Sequence, residues 1–120
     1  MIHHVVIEVS DLPRSASFYD ALLSPLGWRR HVNGTDAIGY GISRPILFLT
    51  DRTGVRAEGT MVSLGAPGIA AVKAAWEGGT SSGGSNVAQP GETSAHGSGS
   101  YSAFLRDPDG HDIEITVSQD

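Results

Sequence analysis

The sequence predicts an α+β chain in which one order of elements occurs twice: a strand, a helix, then a run of strands. Three observations predict it. His3 to Val9 alternates, with Val5, Ile7 and Val9 on one face and His4, Val6 and Glu8 on the other, as a strand buried on one side does. Leu12, Tyr19, Leu22, Leu23 and Leu26 then recur at helical spacing. After the polar connection Asp51 to Gly59 the order begins again, a weak repeat with a period near 57 residues, from His4 to Met61. It is visible in element order and not in residue identity.

The elements follow from local chemistry. Asp11 is a good N-cap, and Pro13 falls in the first turn, where its missing N–H does little harm. Pro25 and Gly27 end this helix. Trp28 to Val32 reads as a second strand, followed by the hairpin signal Asn33-Gly34. Ala37 to Ile42 and Pro45 to Thr50 read as the third and fourth strands, joined by a turn at Ser43-Arg44. Thr60 to Ala66 is strand-like, and Pro67 opens a helix with Ile69, Val72 and Trp76 on one stripe, expected to stop at Gly78-Gly79. Tyr101 to Arg106 and Asp112 to Val117 are strands around the turn Asp107-Pro108-Asp109-Gly110. Between them, Gly78 to Ser100 holds seven Gly, six Ser and two Thr in 23 residues. Such a composition buries little, so the segment reads as an irregular excursion or a mobile lid, with a short strand at Asn86-Val87-Ala88 as an option.

The chain has 120 residues, one domain's worth, divided as module one, 1–58, and module two, 59–120. It holds no cysteine, which excludes a disulfide framework, a thiolate zinc site and a cysteine nucleophile. Eight Lys and Arg against thirteen Asp and Glu give a formal charge of −5. That argues against nucleic-acid or anionic-membrane partners, which need a basic patch, and would attract a cationic ligand modestly. No apolar run reaches the roughly 18 residues of a membrane span, and the first residues do not resemble a signal peptide. The expectation is a cytoplasmic protein.

His4-Val5-Val6-Ile7-Glu8-Val9-Ser10-Asp11-Leu12, then Ser15, Phe18-Tyr19-Asp20, Leu22 and Pro25-Leu26-Gly27-Trp28, resembles the opening of the vicinal oxygen chelate superfamily. This is the group of glyoxalase I, bleomycin-resistance proteins and extradiol dioxygenases. Phe104-Leu105-Arg106-Asp107-Pro108-Asp109-Gly110-His111-Asp112-Ile113-Glu114-Ile115 resembles its closing hairpin, and Gly39-Tyr40-Gly41 and Gly99 to Phe104 are similar too. The resemblance implies two βαβββ modules whose curved sheets form a cup, with helices outside. It also implies a homodimer, in which modules pair within a chain or between chains.

In metal-dependent relatives the ligands come from the first and last strands of each module. The resemblance places candidate ligands at His4, seven residues before Asp11, and at Glu114, after Asp-Pro-Asp-Gly. The other two positions fall on Phe48 and on Thr60 or Met61. Met61 is favoured, because Val62 and Leu64 form the core-facing row. A thioether and a phenyl ring are poor partners for a hard or borderline ion. Glu8, His96 or His111 could supply a third ligand for one divalent ion (Zn, Ni, Fe or Mn); otherwise the cup holds no cofactor. Trp28, Tyr40, Phe48, Met61, Tyr101 and Phe104 are candidate walls of a small-molecule pocket, with His96 above it and Arg106 to fork onto an anionic group of the ligand. Glu114 and Glu8 are candidate bases. Two functions follow: a small-molecule-binding protein with a degenerate metal site, or a divalent-metal lyase, isomerase or dioxygenase on His4 and Glu114.

Overall fold

The computed structural model describes residues 1–52, 61–93 and 99–117. Strand β1 (Val5–Glu8), helix α1 (Leu12–Leu23) and strands β2 (Arg29–Asn33), β3 (Ala37–Gly41) and β4 (Leu47–Thr50) form the first module. Strand β5 (Met61–Gly65), helix α2 (Ile69–Ser81) and strands β6 (Ser85–Thr93), β7 (Ser100–Arg106) and β8 (Asp112–Val117) repeat the order. The sheets have matching orders, β1-β4-β3-β2 and β5-β8-β7-β6. In each, the module's first strand runs parallel to its last, which occupies an interior position. The last strand is therefore flanked on both sides, and its helix-free face forms the floor of the cup.

Helix α1 begins where expected. The Asp11 side chain accepts from the Arg14 N–H, and the proline sits in the first turn. Its apolar stripe, with Phe18, Tyr19, Leu22 and Leu23 fully buried, packs under the first sheet and against α2. One core joins both modules, including Leu49 of β4, Val72 of α2 and Ile113 and Ile115 of β8. Among the described residues no helix is long and apolar enough to cross a membrane.

The glycine-rich segment departs from its expected form. Helix α2 does not stop at Gly78-Gly79 but continues to Ser81, and residues 85–93 form a nine-residue edge strand on β7 rather than an excursion or a lid. The reason is close packing. A Cβ at Gly78 would stand 2.3 Å from the Ala21 carbonyl oxygen, and one at Gly79 would stand 2.6 Å from Leu105. These glycines bring α2 down onto α1 and β7, and that burial outweighs their low helix propensity. Residues 94–98 lie outside the described residues.

The closing turn is tied into the core. Asp107 has a fully buried carboxylate that accepts from the N–H groups of Asp109 and His111, from the Tyr19 hydroxyl at 2.7 Å, and pairs with His111 Nδ1 at 2.8 Å. Asp109 reaches the other module. Ser10 donates to it through both N–H and hydroxyl, and Arg14 pairs with it at 3.1 Å. Burial alone would raise the Asp109 pKa, but the Ser10 donors and the Arg14 charge together hold it below the ordinary carboxylate value.

Two tyrosines carry a testable consequence of this packing. Burial, reinforced by Asp107, raises the Tyr19 pKa well above 10.0, and burial with the Asp20 hydrogen bond raises that of Tyr40. A folded pKa above the unfolded one contributes stability that is complete below the unfolded pKa and is lost as pH rises through the folded value. Phenolate absorbance from Tyr19 and Tyr40 is therefore expected only together with the loss of near-ultraviolet circular dichroism. An alkaline titration of Y19F and Y40F beside the parent checks it, since each variant should remove one phenolate from the unfolding step and none from any earlier one.

Candidate functional site

The helix-free face of the first sheet carries Val6 from β1, Phe48 and Thr50 from β4, and Ala37 and Gly39 from β3. The register sets Phe48 beside Val6 and Gly39. A Cβ on Gly39 would stand 2.7 Å from the Phe48 ring, so only glycine lets that ring lie across β3. The His4 ring meets Phe48 edge-on, with centroids 5.4 Å apart, and shares a 2.9 Å hydrogen bond with His3. Further along the floor, the Thr50 hydroxyl donates to Glu8 Oε1 at 2.7 Å. Asp36, Arg44, Pro45 and Arg52 complete a cavity of about 550 Å³, within the range of small-molecule sites.

The second sheet carries polar groups on the corresponding face. Ser63 donates to Glu114 Oε1 at 2.8 Å, and the Ser102 and Thr116 hydroxyls share a hydrogen bond of 2.6 Å. Glu114 lies between Ser63 and Phe104 in the register and is 1% exposed, whereas Met61 is 52% exposed. The repeat makes the two floors comparable. An offset of 57 residues places Val6 over Ser63 and His4 over Met61, and their register partners place Phe48 over Glu114. The first module thus has an imidazole and a phenyl ring where the second has a thioether and a carboxylate. A smaller cavity of about 340 Å³ has His4, Arg44, Trp28 and Ser63 on its wall. It brings the start of β1 toward β5, with Glu114 one hydrogen bond behind Ser63.

This double βαβββ cup agrees with comparisons to known proteins. The model of the Glyoxalase/Bleomycin resistance protein/Dioxygenase superfamily matches residues 1–115. The chain belongs to this superfamily. A glyoxalase/bleomycin resistance protein from Albidiferax ferrireducens T118 is 29% identical, with 97% of each chain covered and a TM-score of 0.84. A glyoxalase-related enzyme from Fulvimarina pelagi shares the fold at 21% identity and TM-score 0.73, over 96% of this chain and 86% of that one. A glyoxalase/bleomycin resistance protein/dioxygenase family enzyme from Burkholderia phytofirmans PsJN shares it at 15% identity and TM-score 0.75, over 98% of each chain. No match is found among the curated proteins.

Among the described residues, no group of three or more His, Asp or Glu side chains is placed to hold an ion. His111, a possible third ligand, is instead buried and bonded to Asp107. His96 lies outside the described residues.

Three of the expected cup residues, Tyr40, Tyr101 and Trp28, lie elsewhere. Tyr40 is 1% exposed in the core, donating to Asp20 at 2.8 Å, because it shares the inward parity of Ile38 rather than that of Gly39. Tyr101 likewise packs against the core on the side of Ala103 and Leu105. Arg106 keeps the parity of Ser102 and Phe104, and its Nε donates to Asp112 at 2.9 Å in an exposed ion pair at the end of β7. Trp28 precedes β2 and lines the smaller cavity, not the cup over Phe48. Phe104 stays on the helix-free face of β7, beside Glu114. The sequence reading missed Arg44, Arg52, Asp36 and Pro45. Their only signal was position: each lies just beyond the end of a strand whose alternate residues face the cup.

Proposed function

We propose that this superfamily member is a small-molecule-binding protein whose ligand lies in the cup on the Phe48 ring, with no metal ion in the site. The observation that carries the reading is Phe48 itself. An apolar ring, seated on Gly39 and braced by His4, occupies the floor position that in the second module belongs to a carboxylate. A flat apolar floor with polar groups at its margin favours a ligand with a planar or aliphatic body. Protein purified without chelators is expected to contain well under one divalent ion per chain. Near-stoichiometric Zn, Ni, Fe or Mn would reject this reading in favour of a metal-dependent lyase, isomerase or dioxygenase using His4 and Glu114.

The same reading includes a cytoplasmic homodimer. Its support is the half-open cup: the described residues lining the larger cavity come from the first module, and exposed Val6 and Met61 stand on the helix-free faces. A second copy would cover those apolar side chains. Light scattering is expected to give twice the chain mass, and a monomer at micromolar concentration would overturn the assignment.

A further inference from the structure

The cup is not electrically symmetric along its length. Because β1 and β4 run parallel, His3, His4, Arg44 and Pro45 gather at the end where both strands begin. Asp36, Thr50 and Arg52 gather at the other. At the far end an acid accompanies the arginine. At the near end the described residues of the cavity wall hold two imidazoles and a guanidinium, with no carboxylate among them. Arg14, Arg30 and Arg106 all form ion pairs, to Asp109, Asp20 and Asp112. Arg44 forms none with a described residue; its contact is a long one, 3.5 Å, to the Pro45 carbonyl. His3, His4 and Arg44 also border the smaller cavity, so they form the partition between the two openings.

We propose that this near end is an anion subsite, and that the ligand is a monoanion with an apolar body, a carboxylate or an oxyanion of similar size. The inference rests on the reading of the cup as a small-molecule site and names the class of molecule it takes. The apolar body lies over Phe48, Val6 and Ala37, and the charged group is held by the Arg44 fork. A guanidinium presents planar paired donors that match a carboxylate, and an imidazole N–H beside it adds another. The local charge is opposite in sign to the −5 of the whole chain, so it selects by contact rather than by long-range attraction.

Matched probes test it: benzoate with benzamide, and 2-naphthoate with 2-naphthamide, titrated into the full chain at neutral pH and followed by amide chemical shifts. The carboxylate of at least one pair is expected to bind about tenfold more tightly than its amide. R44Q should remove that preference, lowering the acid's affinity far more than the amide's, and F48A should weaken both members of the pair. Equal binding of acid and amide, both lost in F48A, would overturn the anion subsite and leave the cup reading standing. A preference that survives in R44Q would also overturn it. If no probe shifts residues of the cup, the cup reading fails and the subsite with it.

Discussion

Asp107→Ala is expected to lower the unfolding free energy by about 3–5 kcal/mol, as removal of one partner from a buried charged network does. Four donors converge on this carboxylate: two backbone N–H groups, the Tyr19 hydroxyl and His111 Nδ1. All four lose their acceptor together, in a place water does not reach. Asp107→Asn should cost markedly less, because its carbonyl oxygen keeps the two backbone donors and the amide can face a Tyr oxygen or an imidazole nitrogen. Urea denaturation of the two variants beside the parent checks both statements. Equal losses would mean that the turn, rather than the hydrogen-bond network, depends on residue 107. The effect reaches the site indirectly, since the turn carries β8 and therefore Glu114.

Gly41→Ala is the second large effect, expected to cost about 3 kcal/mol, the upper end of overpacking costs. The new Cβ would stand 1.8 Å from the Arg44 carbonyl oxygen. Gly41 does not have a positive φ, so this is a matter of space and not of backbone dihedral. The obstacle is main chain, which no rotamer change relieves. The turn from Ile42 to Ile46 must shift, and with it Arg44 and Pro45 on the cup wall. Affinity for 2-naphthoate should therefore fall in the folded fraction of this variant as well as in R44Q. Stability near that of the parent would show that the turn moves at little cost and does not fix the position of Arg44.

Several features could be read from residue order. The alternation around Val5, Ile7 and Val9 and the parity of His4, Glu8 and Glu114 follow from the two-residue period of a strand and hold in the structure. The Asp11 cap and the Asp-Pro-Asp-Gly turn are equally local, because the groups that satisfy each other are a few residues apart. Tyr40 and Tyr101 show where this reasoning fails. Period two assigns a residue to one of two faces, but nothing local says which face of β3 or β7 meets a helix. Gly78-Gly79 fails for a related reason. A glycine pair is a stop signal by propensity, and only the distance to Ala21 and Leu105 reveals it as a contact.

The sequence by itself determined the repeated βαβββ order, the start of the first helix and the closing turn, since these depend on chain neighbours alone; Pro67 misplaced the start of the second helix, which Gly68 caps. The tertiary structure decided which aromatics line the cup and which fill the core, that residues 85–93 pair as an edge strand, and that His3, His4 and Arg44 share one wall. The shared wall arises from the parallel pairing of β1 with β4, some forty residues apart in the chain, and the edge strand from antiparallel pairing with β7. Side chains far apart in the chain become neighbours only when the buried faces of both modules close on the two helices.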